Sequence, residues 1–268
     1  MTERPTPRAQ QRTARVPDGR AERIARLAGL AAGIAGESAL ELLRRATGAG
    51  ERGGSLLMTS ANSARVAETL ADLRGAAMKL GQLLSLQGEG MLPPRLREAL
   101  AQLQSHAHFM PEAQVRQVLT REFGRGWKSR FAEFDFEPLA AASIGQVHAA
   151  TASDGRDLAL KLQYPGIERS IDGDVDNLVL VLRGLRLVPS GLDLDRVIPE
   201  LKEELRREAD YAREARSQAQ YRNLVGADPA VLVPRVHADL STRSVLASDR
   251  VRGLPLEDLR SPEHPQSR

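Results

Sequence analysis

The chain has 268 residues, no Cys and a formal net charge of only +3, a length that allows one large or two small domains. The missing Cys excludes disulfides, thiolate metal sites and a cysteine nucleophile, and the nearly balanced charge is unlike that of a protein binding nucleic acid over its whole surface. Most of the 38 basic residues are Arg, so a Lys at a given position is more informative than an Arg. The four Lys are Lys79, Lys128, Lys161 and Lys202.

Residues 1–20 predict a disordered basic tail, because they contain three Pro, five Arg and almost no large apolar side chain. A helix is predicted over 21–48. Its run from Leu27 to Leu43 carries Glu37 and Glu41, which favours a packed soluble or membrane-surface helix over a membrane span. The polar, Arg-rich lead is unlike a secretory signal. We therefore expect a cytoplasmic protein, with peripheral membrane contact as an option.

Three further helices are predicted before residue 130. Residues 57–87 have apolar side chains at helical spacings of three and four. A short helix over 95–104 follows, and another begins at Pro111. The apolar face of this last helix consists of Val115, Val118 and Leu119.

The pattern changes near residue 130 to short alternating apolar runs, which are typical of strands. Runs at 144–150 and 158–162 are separated by Ser153-Asp154-Gly155, a hairpin-type turn signal. A long helix is predicted over 195–224, and two strand-like runs follow at Val231–Ala238 and Ser244–Val251. The second half therefore predicts the order strand, strand, helix, strand, strand.

Residues 140–147 align with the Gly-rich loop of protein kinases, G-x-G-x-x-G-x-V. Gly145 takes the third Gly, whereas Ala140 and Ala142 stand at the first two. Small residues let backbone amides approach phosphate oxygens, although Ala does not reach the positive φ angles that Gly adopts freely. The same residues are also typical of a tight packing turn, so both interpretations stay open.

Lys161 lies fourteen residues after Val147, at the end of the next predicted strand. This matches the kinase V-A-I-K strand, whose Lys reaches the α- and β-phosphates; the alternative is a sheet-edge Lys that extends to solvent. A kinase-type Lys needs a Glu from the next long helix. The acidic candidates in that helix are Glu208, Asp210 and Glu214, although a charged helix is also typical of a solvent-exposed face.

Four segments in this order resemble the motifs of the UbiB/AarF atypical kinase-like family, over about residues 25–258. Residues 78–82, Met-Lys-Leu-Gly-Gln, are similar to its KxGQ signature, and 138–148 to its Ala-rich nucleotide loop. Residues 160–166 are similar to its β3 Lys segment, and 208–215 to its ExD motif with the helix-αC Glu. The resemblance implies an α+β fold, in which a helical extension precedes a kinase-like N-lobe with an antiparallel sheet and a long αC-type helix.

The resemblance also implies domain bounds and site residues. It implies a tail at 1–20, the helical extension at 21–130, the N-lobe at 131–255 and a second tail at 256–268. ATP or ADP would bind, weakly, through Lys161, Glu214 and the Ala-rich loop. That loop comprises Leu139, Ala140, Ala141, Ala142, Ser143, Ile144, Gly145, Gln146 and Val147.

The KxGQ segment is implied to be regulatory. Lys79 and Gln82 would lie over the pocket, with Lys79 facing Glu208 and Asp210 of the ExD motif. In this family the extension and the Ala-rich loop are thought to suppress ordinary protein phosphorylation. The implied partners are an adenine nucleotide, a peripheral membrane or isoprenoid lipid linked to ubiquinone metabolism, and a protein; no nucleic acid is implied.

The chain departs from a complete kinase. A catalytic-loop Asp and Asn and a DFG Asp have no counterpart in it, and residues 237–240, His-Ala-Asp-Leu, which mimic H-R-D-L, are expected to be structural. The segment 251–255 resembles the family's hinge and leaves only a short polar tail. We therefore expect no catalytic residue and no metal ligand here, with Mg²⁺ ligands confined to full-length relatives, and weak, metal-insensitive nucleotide binding.

A truncated gene, a piece of a longer protein and a short paralogue all fit this departure. The alternative function is a non-catalytic module, which would dock on a membrane or a protein through the Gly-rich first helix and the basic tail.

Overall fold

The computed structural model describes residues 73–86, 109–184, 188, 193–226 and 228–253. The predictions for the two tails and for the helices at 21–48 and 95–104 lie outside these residues. Within the described ranges, no helix combines the length and the apolar character needed to cross a membrane.

One antiparallel sheet of four strands is ordered β1-β2-β3-β4. The strands are β1 Phe131–Ala141, β2 Gly145–Ala152, β3 Asp157–Gln163 and β4 Val245–Asp249. The turn between β2 and β3 lies at the predicted Ser153-Asp154-Gly155. Gly155 has φ 88° there, a conformation that Gly adopts without steric cost.

Five helices accompany the sheet in the described part of the chain. They are α1 Arg74–Leu86, α2 Glu112–Phe123, α3 Ile167–Gly184, α4 Leu194–Glu208 and α5 Tyr211–Val225. Helix α1 lies inside the predicted 57–87, and α2 follows Pro111 as predicted. This α+β arrangement with an antiparallel sheet confirms the predicted fold class.

Two apolar cores lie in the structure. In the first, Leu158, Leu160 and Leu162 of β3 pack with the apolar face of α2 and with Trp127, whose ring lies edge-on to Phe134. The second joins α1, α3, α4 and α5. Because side chains alternate along a strand, Lys161 points to the sheet face opposite α2. The predicted boundary at residue 130, between a helical extension and a lobe, stays a prediction. Helix α1 packs in one core with α3, α4 and α5, and α2 packs in the other core with the sheet.

Two elements were not predicted. Strand β1 does not show the alternation of apolar and polar residues that predicts a strand. Its pairing with β2 shifts register between Phe134 and Pro138, and this shift breaks the two-residue period.

Helix α3, the other unpredicted element, is rich in Asp, which is a poor helix former. On the folded helix Asp172 and Asp176 lie at the surface, where Asp176 accepts a hydrogen bond of 2.6 Å from Lys202 on α4. Asp174 is buried and accepts a hydrogen bond from the Ser170 hydroxyl (2.8 Å).

Two predicted elements were wrong. The single helix over 195–224 is broken at Ala209, because the Asp210 side chain accepts a hydrogen bond from the Arg213 N–H (3.0 Å) and caps a new helix, α5. The run Val231–Ala238 forms only an isolated bridge, from Val236 to Ser248, rather than a strand.

His148 lies fully buried on β2 within a hydrogen-bonded network. Its Nδ1 lies 2.8 Å from the Asp135 carbonyl and its Nε2 lies 2.7 Å from the Gln146 side-chain amide. An amide N–H donates to Nε2, so the proton sits on Nδ1 and the ring is neutral. Burial lowers the pKa of His148 below its ordinary 6.5, despite the opposing hydrogen bond to Asp135.

We expect the folded state to lose stability as the pH falls below about 6.5, because the unfolded chain then binds a proton that folded His148 resists. Thermal unfolding between pH 5 and pH 7.5 measures this. His148→Gln should flatten the profile in that range. His237→Gln is the control, because His237 bonds to Arg156 and Asp249 rather than to Gln146. An unchanged pH profile in His148→Gln would contradict the assignment.

Candidate functional site

A cavity of ≈ 430 Å³ opens between α1, β3, α4 and α5. Four cationic and three anionic side chains and one hydroxyl line it. They are Lys79, Lys161, Arg207, Arg213, Glu204, Glu208, Glu214 and Ser217. Clustered ammonium and guanidinium groups are typical partners of phosphate and carboxylate oxygens. The cavity is therefore a candidate anion site.

Lys161 and Glu214 form an ion pair at this cavity. The Lys161 ammonium lies 2.9 and 2.8 Å from the two Glu214 carboxylate oxygens. Strand β3 positions the Lys by burying Leu160 and Leu162 on its other face. The Asp210 cap starts α5 four residues before Glu214, so that the carboxylate lies in the first turn of the helix.

Tyr211 lies beneath this ion pair. Its ring centroid is 4.7 Å from the Lys161 ammonium, and its side chain is fully buried. Burial, reinforced by the Glu214 and Glu208 carboxylates, raises the pKa of Tyr211 well above its ordinary value. The phenol is therefore neutral at working pH, and its ring presents an electron-rich face to the ammonium.

The predicted nine-residue loop at 139–147 is mostly strand. Residues 139–141 end β1 and 145–147 begin β2, and Ala140 pairs with Val147 across the hairpin. Only residues 142–144 connect the two strands, closed by a hydrogen bond from the Ala142 N–H to the Gly145 carbonyl (2.8 Å). Val147 also pairs with Lys161, so their side chains share one face of the sheet.

Gly145 is required by packing. A Cβ built on it would lie 2.4 Å from the Leu162 carbonyl oxygen and 2.6 Å from the Tyr211 hydroxyl. The Leu162 oxygen belongs to the backbone of β3 and has little freedom to move. The packing-turn interpretation of the sequence therefore accounts for this glycine on its own.

Gln146 directs its side chain away from the cavity. Its carbonyl oxygen accepts a hydrogen bond from the Met110 N–H (2.7 Å), and its amide contacts His148. Met110 belongs to the core under α2. The side chain of this predicted loop residue therefore lies on the sheet face opposite Lys161.

Helix α1 lies against the hairpin turn and the cavity. The Ser143 hydroxyl donates to Oε1 of Glu208, and Lys79 Nζ lies 3.4 Å from Oε2 of the same carboxylate. A Cβ on Gly75 would lie 3.1 Å from Ile144 Cγ2, so α1 and the turn approach closely. Glu208 thus joins three elements: the turn, α4 and α1.

The arrangement of the KxGQ and ExD residues differs from the expected one, in which Lys79 faces both Glu208 and Asp210 and Gln82 lies over the pocket. Lys79 also lies 4.0 Å from Glu204, which the sequence analysis did not single out. Asp210 caps α5 through the Arg213 N–H instead of facing Lys79. Gln82 is exposed on α1.

The H-R-D-L mimic at 237–240 is structural. His237 is buried, and its Nε2 donates to Asp249 (2.7 Å). Asp239 accepts from both terminal nitrogens of Arg156. Residues 238–240 form a 3₁₀ helix, which begins at the last residue of the predicted run Val231–Ala238.

Sequence reasoning missed four contributors to the cavity: Glu204, Arg207, Arg213 and Ser217. Ser217 lies three residues after Glu214 and so shares its helix face, a signal that was readable. Arg213 and Arg207 could not be distinguished from the other Arg of these helices by spacing alone. Among the described residues, no group of three or more His, Asp or Glu is arranged to hold a metal ion.

The ABC1 atypical kinase-like domain family matches residues 102–267, more than half of the chain. Curated relatives extend the similarity. The zebrafish (Danio rerio) atypical kinase COQ8B, mitochondrial, is 39% identical over 93% of this chain and 40% of the relative. The Saccharomyces cerevisiae atypical kinase COQ8, mitochondrial, is 39% identical over 91% of this chain and 49% of the relative.

A bacterial relative, the probable protein kinase UbiB of Marinobacter nauticus, is 32% identical over 73% of this chain and 36% of its own length. A solved structure of Rv3197 with erythromycin, from Mycobacterium tuberculosis, is 36% identical with a TM-score of 0.46, over 71% of this chain and 48% of that one. The chain thus spans 40 to 49% of the two COQ8 relatives.

Replacing Gly145 by Ala should destabilise the protein by about 1–3 kcal/mol, because the new methyl group overlaps the Leu162 carbonyl. Urea unfolding at neutral pH measures the loss. Gly126→Ala is the matched control, since a Cβ there meets nothing within 4 Å, and it should stay within about 0.5 kcal/mol of the parent. Equal stability of the two variants would mean that the turn is not packed as described.

Proposed function

Because the chain belongs to the ABC1 atypical kinase-like family, we propose that it binds an adenine nucleotide, ATP or ADP, at the cavity between α1, β3, α4 and α5. The observation that carries this proposal is the Lys161–Glu214 pair at the cavity wall. A Lys held by a helical Glu is the arrangement that kinases use to orient the α- and β-phosphates.

The residues around the pair suit a phosphate ligand. Lys161 would donate to phosphate oxygens, and Glu214 would keep the ammonium pointing into the cavity. Arg213 and Arg207 add positive charge at the same wall, and Ser217 adds a hydroxyl donor. We assign the Ala-rich hairpin, residues 139–147, to the nucleotide site through its backbone, and in particular through the 142–144 turn, since the Gln146 side chain points elsewhere.

We extend the proposal to the whole protein. Its activity would be ATP hydrolysis or phosphoryl transfer of the atypical-kinase type, coupled to isoprenoid quinone metabolism at a peripheral membrane site. The names of the relatives support the atypical-kinase part of this proposal: two are atypical kinases COQ8 or COQ8B, and one is a probable protein kinase UbiB. We keep Lys79, Gln82, Glu208 and Asp210 as proposed regulatory residues. Of these, Lys79 and Glu208 lie at the contact between α1 and the cavity.

We do not expect residues 1–268 alone to catalyse ATP hydrolysis or phosphoryl transfer. In the part of the chain that the structure describes, no three or more His, Asp or Glu side chains are grouped so as to hold a metal ion, and the sequence contains no DFG motif. We propose that residues 1–268 bind the nucleotide without turning it over. Sustained Mg²⁺-dependent ATP hydrolysis by this polypeptide would contradict that part of the proposal and leave the binding site standing.

Lys161→Ala should weaken ATP and ADP binding about tenfold or more, since a hydrogen bond to a charged group contributes about 1.5–3 kcal/mol. Isothermal titration calorimetry, with and without Mg²⁺, measures the affinities. Lys202→Ala is the matched control: both Lys side chains are 19% exposed and paired with carboxylates, but Lys202 lies on the α3–α4 surface. Equal nucleotide affinity in both variants would contradict the proposal that the nucleotide binds at Lys161.

A further inference from the structure

Tyr211 has a rigid position that its hydrogen bonds and burial define. Its side chain is fully buried, and its N–H donates to the Arg243 carbonyl (3.2 Å) beside β4. It begins α5 directly after the Asp210 cap. The ring therefore cannot shift without moving the start of the helix that carries Glu214.

The ring supports the Lys161 ammonium from a second direction. The ammonium donates hydrogen bonds to both Glu214 carboxylate oxygens, while the Tyr211 ring centroid lies 4.7 Å from it. An incoming phosphate competes with the carboxylate for the same N–H donors. The neutral Tyr211 ring does not compete for these donors. Its attraction for the ammonium therefore persists when phosphate replaces the Glu214 carboxylate as the partner.

The hydroxyl of Tyr211 makes no hydrogen bond with any residue that the structure describes. It lies against the hairpin turn, where a Cβ on Gly145 would come within 2.6 Å of it. The phenol therefore touches the turn at one end and Lys161 through its ring. Since the hydroxyl has no such bond, phenylalanine should replace tyrosine without losing one.

We propose that Tyr211 is a positioning residue for Lys161: its buried ring holds the ammonium at the cavity wall and sets its distance from the hairpin turn. The consequence for ligand affinity rests on the proposed nucleotide function. The Lys161–Tyr211 contact itself does not, and it can be measured in the free protein.

The first test uses NMR of the Lys side chains. The chain has four Lys, so the Hε–Cε region holds few signals, and Lys161→Arg identifies that of Lys161. Protons over an aromatic face are shifted upfield. We expect an upfield Lys161 Hε signal in the parent and in Tyr211→Phe, and its return to the position of the other Lys in Tyr211→Leu and in Tyr211→Met. An unshifted Lys161 signal in the parent overturns the proposal without any Tyr variant.

The second test is ATP affinity by calorimetry. Tyr211→Phe should match the parent within about twofold, and Tyr211→Leu should be about three- to tenfold weaker. Lys161→Ala marks the affinity left without the ammonium. Tyr211→Met provides a second ring-free variant should Tyr211→Leu fold poorly. If neither variant folds, the position of the Lys161 Hε signal in the parent still tests the proposal.

The outcomes separate the two proposals. An upfield Lys161 signal with no ATP binding by the parent overturns the nucleotide function and leaves the contact intact. ATP binding that needs Lys161 but is unchanged in folded Tyr211→Leu overturns the positioning role alone. Equal weakening in Tyr211→Phe and Tyr211→Leu also overturns it, because a loss that phenylalanine does not rescue cannot come from the ring.

Discussion

The alternation of side chains along β3 organises the rest of the structure. Leu158, Leu160 and Leu162 point into the core under α2, and the intervening Lys161 points to the opposite face. Burying a Leu side chain contributes about 1.5–3 kcal/mol, whereas a partly exposed ion pair contributes about 1 kcal/mol or less. The three Leu therefore fix the strand, and the Lys161–Glu214 pair forms because the strand is fixed.

The junction between α4 and α5 is the second constraint on the site. Gln163 at the end of β3 donates its side-chain N–H to the Ala209 carbonyl (2.7 Å), which ties the junction to the sheet. The helix break then divides the acidic residues between two tasks. Glu208, at the end of α4, meets Ser143 and Lys79, while Glu214, in the first turn of α5, meets Lys161.

Local signals identified the parts of the fold that have strong periodicity. The face Val115, Val118 and Leu119 of α2 and the turn at 153–155 were readable because each depends on neighbours in sequence. The missed elements depend on distant partners. Strand β1 pairs with β2 in a register that shifts along the strand, and Asp172 and Asp176 of α3 pair with Arg206 and Lys202 on α4.

The candidate site divides in the same way. From the sequence, the resemblance to the UbiB/AarF motifs implied that Lys161 and Glu214 form one kinase-like pair, whereas strand and helix periods alone left Glu208, Asp210 and Glu214 as acidic candidates. Only the tertiary structure decided that Gln146 turns away to Met110, and that Gly145 faces the Leu162 carbonyl and the Tyr211 hydroxyl. The physical reason is that these are close contacts between elements far apart in the chain, and their distances depend on how the sheet and helices pack.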